Sequence, residues 1–180
     1  MKYSRNTYSV PQMILTIQAP DTASFASFVE KNGQTIIDFF TKTEMNRQIN
    51  QLKEEHNPVI STKVGSIFGC DVMVPMEVQK YKQGKDFIWA STDRANADMN
   101  FVMYSYPYTD KNTFTKEYFI HKRDSVMKIN LPGASEGMYM TTADSIFVNV
   151  KNINVKGEYA FEARGLWEME NDMMGGPFVS

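Results

Sequence analysis

The sequence predicts a mixed α+β fold in which a mainly antiparallel sheet carries helices packed on one face. Three observations point there. Strand-like and helix-like runs follow one another without the regular βα alternation that builds a parallel sheet. The segment from Glu158 to Met169 alternates cleanly, with Tyr159, Phe161, Ala163, Gly165, Trp167 and Met169 on one face. Glu158, Glu162, Arg164, Glu168 and, just beyond, Glu170 fall on the other, the pattern of a strand dry on one side and wet on the other. Asn57-Pro58 followed by Ile60, Val64, Ile67, Phe68 and then Gly69 reads as a short helix with an N-cap, a first-turn proline and a glycine stop.

The remaining elements follow in chain order. Met13, Ile14, Leu15 and Ile17, within Val10 to Gln18, make an apolar run expected to be a strand buried on both faces. Asp21 offers an N-cap to a helix bearing Phe25, Phe28, Val29, Ile36, Phe39 and Phe40, with Gly33 as a joint; the polar stretch from Lys42 to His56 continues as helix or exposed connector. Strands are expected at Cys70–Val74, Asp86–Ala90 and Met99–Tyr106, forming a meander with a turn at Gln83-Gly84-Lys85 between the first two. After Pro107 and Asp110 a helix with Phe114, Tyr118, Phe119, Arg123, Val126 and Met127 runs to about Asn130, stopped by Pro132-Gly133. Met138–Thr141, Ile146–Asn152 and Glu158–Met169 complete the strands, the last two joined at Asn154-Val155-Lys156-Gly157.

Length and composition bound the function. At 180 residues, 42% hydrophobic and 22% charged, the chain suits a single folded domain over residues 1–180. A formal net charge of -2 supplies no basic field for nucleic acid or an anionic membrane. No run reaches the roughly 20 apolar residues of a membrane span, and Met1 to Arg5 lacks the apolar core of a signal peptide. The single Cys70, in an apolar context, reads as a structural thiol and cannot form an internal disulfide. The sequence of strand, proline, aspartate and Phe-bearing helix occurs at Ile14–Phe28 and again at Val102–Tyr118. Two related half-domains, with the chain beginning inside a longer protein, would explain that recurrence; chance explains it too.

Two constellations are candidate binding sites. Trp167, Glu168, Glu170 and Asp172, read as an extended strand, would place three carboxylates on one face beside Gly175-Gly176, a pattern suited to a hard divalent cation. The spacing is not that of an EF-hand, and a solvated strand face ending in a turn is the plainer account. Tyr104, Tyr106 and Tyr108 alternate along a strand and offer an aromatic platform for sugar rings or a peptide, against the plainer account of rings packed under a helix. His121-Lys122-Arg123-Asp124-Ser125 holds an imidazole, an acid and a hydroxyl, but helix neighbours point different ways, and the run reads as a solvated helix face. No nucleophile elbow, phosphate loop, dinucleotide fingerprint or zinc-helix motif is present, so no catalytic residue, metal or cofactor is assigned. Thirteen methionines read as adaptable core packing.

At Tyr104-Ser105-Tyr106-Pro107-Tyr108, at Arg123-Asp124-Ser125-Val126 with Leu131-Pro132-Gly133, and above all at Arg164-Gly165-Leu166-Trp167 and Asp172-Met173-Met174-Gly175-Gly176-Pro177-Phe178, the sequence resembles a family of uncharacterised Bacteroidetes proteins described as lipoproteins with a domain of unknown function. The resemblance runs from about Val10 to Phe178. Family members are longer at both ends and begin with a lipoprotein signal, so the resemblance implies a cell-envelope location, with membrane attachment only through a lipid anchor absent from this chain. It implies no activity, substrate or cofactor. The expected function is therefore a non-enzymatic binding or structural module with an unknown ligand or envelope protein as partner, no nucleic acid, and self-association near Val10 to Gln18. A glycan-handling protein or enzyme using the tyrosine face or the C-terminal carboxylates is the alternative.

Overall fold

The computed structural model describes residues 1–94 and 98–180. Backbone contacts divide the chain into two compact units, Met1–Tyr106 and Pro107–Ser180. The fold is α+β and its named strands pair antiparallel, distributed over three separate sheets rather than the single sheet expected.

The first unit opens with a hairpin, β1 (Lys2–Arg5) against β2 (Met13–Thr16), in register from Lys2↔Thr16 to Arg5↔Met13. The strand expected to be buried on both faces is thus one of a pair; Met13, Ile14 and Leu15 are half-buried and Val10 is exposed. A four-residue partner covers one edge of the apolar run and little of either face.

Helix α1 (Thr22–Glu54) starts where the Asp21 carboxylate accepts the Ser24 amide at 2.7 Å. It runs 33 residues, about 50 Å at 1.5 Å per residue, straight through Gly33, which is no joint. None of its residues is buried. At roughly 100° per residue, Phe25, Val29, Ile36, Phe39 and Phe40 gather on one side, while Met45, Ile49 and Leu52 gather on nearly the opposite side. The Tyr3 ring, 4.5 Å from that of Phe39, lays the hairpin against the first side.

Helix α2 (Pro58–Phe68) is capped by the buried Asn57, whose side chain accepts from Val59 N (2.9 Å) and Ile60 N (3.3 Å) and donates to the Val78 carbonyl (2.7 Å). Gly69, at φ 67°, ends it in the left-handed conformation that glycine adopts without penalty. Ile60 and Val64 have no exposed surface and pack with Val74, Val78, Ile88 and Ala90 against the meander β3 (Lys80–Gln83), β4 (Phe87–Ser91) and β5 (Asn100–Tyr104). Cys70–Val74 is not the expected strand. Its carbonyls serve α2 instead, Val72 accepting the Ser61 hydroxyl at 2.7 Å and Val74 the Asn57 amide at 2.9 Å. Cys70 is a half-buried free thiol.

The second unit has a 3-10 turn (Lys111–Phe114) capped by Asp110, then α3 (Lys116–Asn130) capped by Thr115. Its sheet is built around β8 (Glu158–Met169), which pairs with β6 (Met140–Thr142), β7 (Asn149–Val155) and β9 (Gly175–Val179). The β7–β8 turn uses positive φ at Lys156 and Gly157, as a tight hairpin demands. The second copy of the strand-proline-aspartate-helix pattern crosses from β5 into this unit, so the recurrence does not correspond to a structural unit. Among the described residues no helix is long and apolar enough to cross a membrane.

Candidate functional site

The C-terminal hairpin β8–β9 is built from glycines facing aromatics. Gly165 stands opposite Phe178, and a Cβ on it would lie 2.9 Å from the Phe178 ring and 3.1 Å from Val148. Trp167 stands opposite Gly176, where a Cβ would lie 3.1 Å from the indole nitrogen; at Gly175 it would meet the Trp167 carbonyl at 2.9 Å. Each ring therefore occupies space that only a glycine leaves free across the ladder. Pairing of the Arg164–Trp167 and Gly175–Phe178 motifs is thus one structural feature. Gly175-Gly176-Pro177, expected from sequence to be a turn, belongs to the strand β9.

α3 holds this sheet through a buried cation. Arg123, 3% exposed, donates from Nη1 to the Thr142 hydroxyl at 2.9 Å, lies 3.3 Å from the Asp124 carboxylate and stacks 4.2 Å from the Phe178 ring centroid. Asp124 Oδ1 also accepts the Thr142 amide (2.8 Å) and hydroxyl (2.7 Å). Burying a guanidinium is tolerable because its charge and donors are met. The run His121 to Ser125 is accordingly not a uniformly solvated face: His121 and Ser125 are exposed, but Arg123 is core.

His121, Asp124 and Ser125 do line one open groove, with Glu117, Tyr139 and Thr141. Asp124 Oδ1 is committed to Thr142, so this carboxylate fastens β6 to α3. A second open groove, in the first unit, is lined by Gln48, Gln51, Leu52, Pro75, Met76 and Glu77 among others.

The structure disperses the residues singled out from sequence. β8 ends at Met169, so Glu168 is half-buried within the strand while Glu170 and Asp172 sit exposed in the following turn, not in a row. Among the described residues no group of three or more His, Cys, Asp or Glu is placed to hold a metal ion. Trp167 and Phe161 are half-buried; Tyr159, expected inward, is 52% exposed. Tyr104 and Tyr106 stack on each other at 6.2 Å between centroids, and Tyr108 belongs to the second unit, 5.7 Å from Phe114, which meets Tyr159 edge-on at 5.0 Å. On the exposed strand face Arg164 pairs with Glu162 at 2.8 Å, and that hydrogen bond holds the Glu162 carboxyl below the usual range. What the sequence reading missed is the role of Arg123 and of the three glycines, not their presence: Arg123 stood among the apolar positions of its helix, and the glycines stood within the two C-terminal motifs.

Fold and site together define an α+β protein whose C-terminal sheet is fastened by glycine–aromatic pairs and one buried arginine. Residues 57–180 match the family model described as Domain of unknown function (DUF4837), and the chain belongs to that family. Residues 1–53 match a second model, Domain of unknown function (DUF8532). No curated protein and no solved structure matches the chain.

Proposed function

We propose that the chain is a non-enzymatic binding or structural module of a bacterial cell-envelope lipoprotein, and that it self-associates through the surface formed by β1, β2 and α1. The observation that carries this reading is α1. It buries no residue, and Phe25, Ile37, Phe40, Met45 and Ile49 remain between 42% and 59% exposed along it. Large exposed apolar surface is rare on monomers and marks association surfaces. The hairpin beside it adds Val10 at 79% exposed and two short strands with unpaired outer edges. The envelope location and Bacteroidetes origin rest on the resemblance carried by Arg164–Trp167 and Asp172–Phe178.

Sedimentation equilibrium tests the association directly. The expected result is a concentration-dependent dimer or higher species that is lost in the double substitution Ile37→Glu, Phe40→Glu. A chain that stays monomeric at every concentration overturns the self-association. Fractionation of cells expressing the native gene tests the location, with recovery in the envelope expected and recovery wholly in the cytosol contradicting it.

A further inference from the structure

Methionines converge at one end of the second unit's sheet. Met140 on β6 is directly opposite Met169 on β8. On the other side of the hairpin, the Met169 amide donates to the Met174 carbonyl at 2.8 Å, continuing the register in which Glu168 faces Gly175. Residues directly opposite one another on paired strands share a face, with Cβ atoms about 4.5–5.5 Å apart. Met138 precedes Met140 by two residues and so falls on the same side. Both it and Met169 border Gly133: a Cβ there would lie 2.4 Å from the Met138 Cβ and 3.3 Å from the Met169 sulfur. The glycine thus leaves open the space in which that sulfur sits.

We propose that Met140, Met169 and Met174, with Met138 beside them, form a site for a soft monovalent metal ion of the Cu(I) or Ag(I) class. Thioethers are soft, uncharged ligands that select such ions over zinc, calcium or magnesium. Met140 on β6, Met169 on β8 and Met174 just before β9 stand in register, and each unbranched side chain with three rotatable bonds can turn its sulfur to a common point without moving the backbone. Exposure falls along the row, from Met174 at 57% through the half-buried Met169 to Met140 at 8%, which gives the ion a path from solvent to an enclosed position. The carboxylates of Glu170 and Asp172, in the turn between Met169 and Met174, supply negative charge near the entrance.

The test is a titration of the whole chain with Ag(I), followed through the methyl carbons of labelled methionine, and a Cu(I) competition against a chromophoric chelator. The methyls of Met140, Met169 and Met174 are expected to shift together and saturate at one equivalent. Met169→Leu and Met174→Leu, which preserve volume and fold, should each weaken binding by at least about tenfold, the least that loss of even an outer partner costs a metal site. Met45→Leu, on α1, should leave binding unchanged. Non-saturating shifts spread over all methionines, or equal binding by the Met169→Leu and Met174→Leu proteins with unchanged melting temperatures, overturn the proposal and leave the row as packing.

Discussion

α1 and α2 are successive helices of the same unit, yet α2 buries Ile60 and Val64 completely in 11 residues while α1 buries nothing in 33. Composition is only part of the explanation: α1 is the more polar helix per residue, yet it carries more large apolar side chains in number. Their arrangement supplies the rest. In α2 the apolar positions 60, 64, 67 and 68 recur on a single stripe, and β4 lies against it. In α1 the N-terminal phenylalanines and the C-terminal Met45, Ile49 and Leu52 face nearly opposite ways, so no one surface can cover both. A helix becomes core when its pattern permits one partner; with two opposed faces it becomes a long arm with apolar surface to spare.

The largest effect expected from that contrast is on stability. Ile60→Ala removes a wholly enclosed side chain between α2 and β4 and should cost about 2–5 kcal/mol in urea denaturation. Ile37→Ala, on α1, should stay within about 0.5 kcal/mol, as surface changes do. Comparable losses in the two proteins would show that α1 is packed after all, and would remove the ground for assigning it to association.

A smaller effect separates the two helix starts. Asn57 serves three groups at once, two amides of α2 and the Val78 carbonyl. Asn57→Ala should cost about 1–3 kcal/mol, combining the lost cap with a buried carbonyl left unpaired. Asn57→Asp should recover the amide acceptors but not the donor to Val78, and so fall between the two. An Asn57→Asp protein as stable as the original would show that the Val78 contact contributes nothing.

The same contrast explains what could be read from sequence. β8 was legible to the residue because its alternation is long and strict, and α2 because a cap, a proline and a glycine bracket it. α1 was legible as a helix but not as one helix, because Gly33 costs only about 1 kcal/mol and the rest of a 33-residue helix outvotes it. β3 was missed because Lys80–Gln83 has no apolar face, being held by its pairing with β4. Cys70–Val74 reads as a strand because apolarity does not reveal whether carbonyls go to a ladder or, as here, to Asn57 and Ser61. β9 was hidden by Gly-Gly-Pro, a turn signal whose glycines make room for Trp167. Of the candidate site, the motif residues were visible, but their roles depend on which residue stands opposite, and register between distant strands is not written in local pattern.

The smallest effect concerns pH, and it again divides α1 from α2. Asp21 is held below the usual carboxyl range, chiefly by the Ser24 amide that it accepts. A carboxylate whose pKa is lower in the folded chain contributes its stabilisation above the unfolded value and loses it as pH falls through the folded one. The start of α1 should therefore fray as pH falls through and below the ordinary aspartate value of about 3.9. The start of α2 depends on Asn57, which does not titrate, and should hold through the same range. Amide exchange at Ser24 and Ile60 followed against pH, relative to the intrinsic exchange rate at each pH, reads the two separately: protection should fall at Ser24 and persist at Ile60. Asp21→Asn tests the cause, because asparagine caps a helix as well as aspartate but carries no proton to gain; in that protein the Ser24 protection should no longer depend on pH. If Ser24 and Ile60 lose protection together in both proteins, the acid transition is global unfolding, and the two helix starts are not independent.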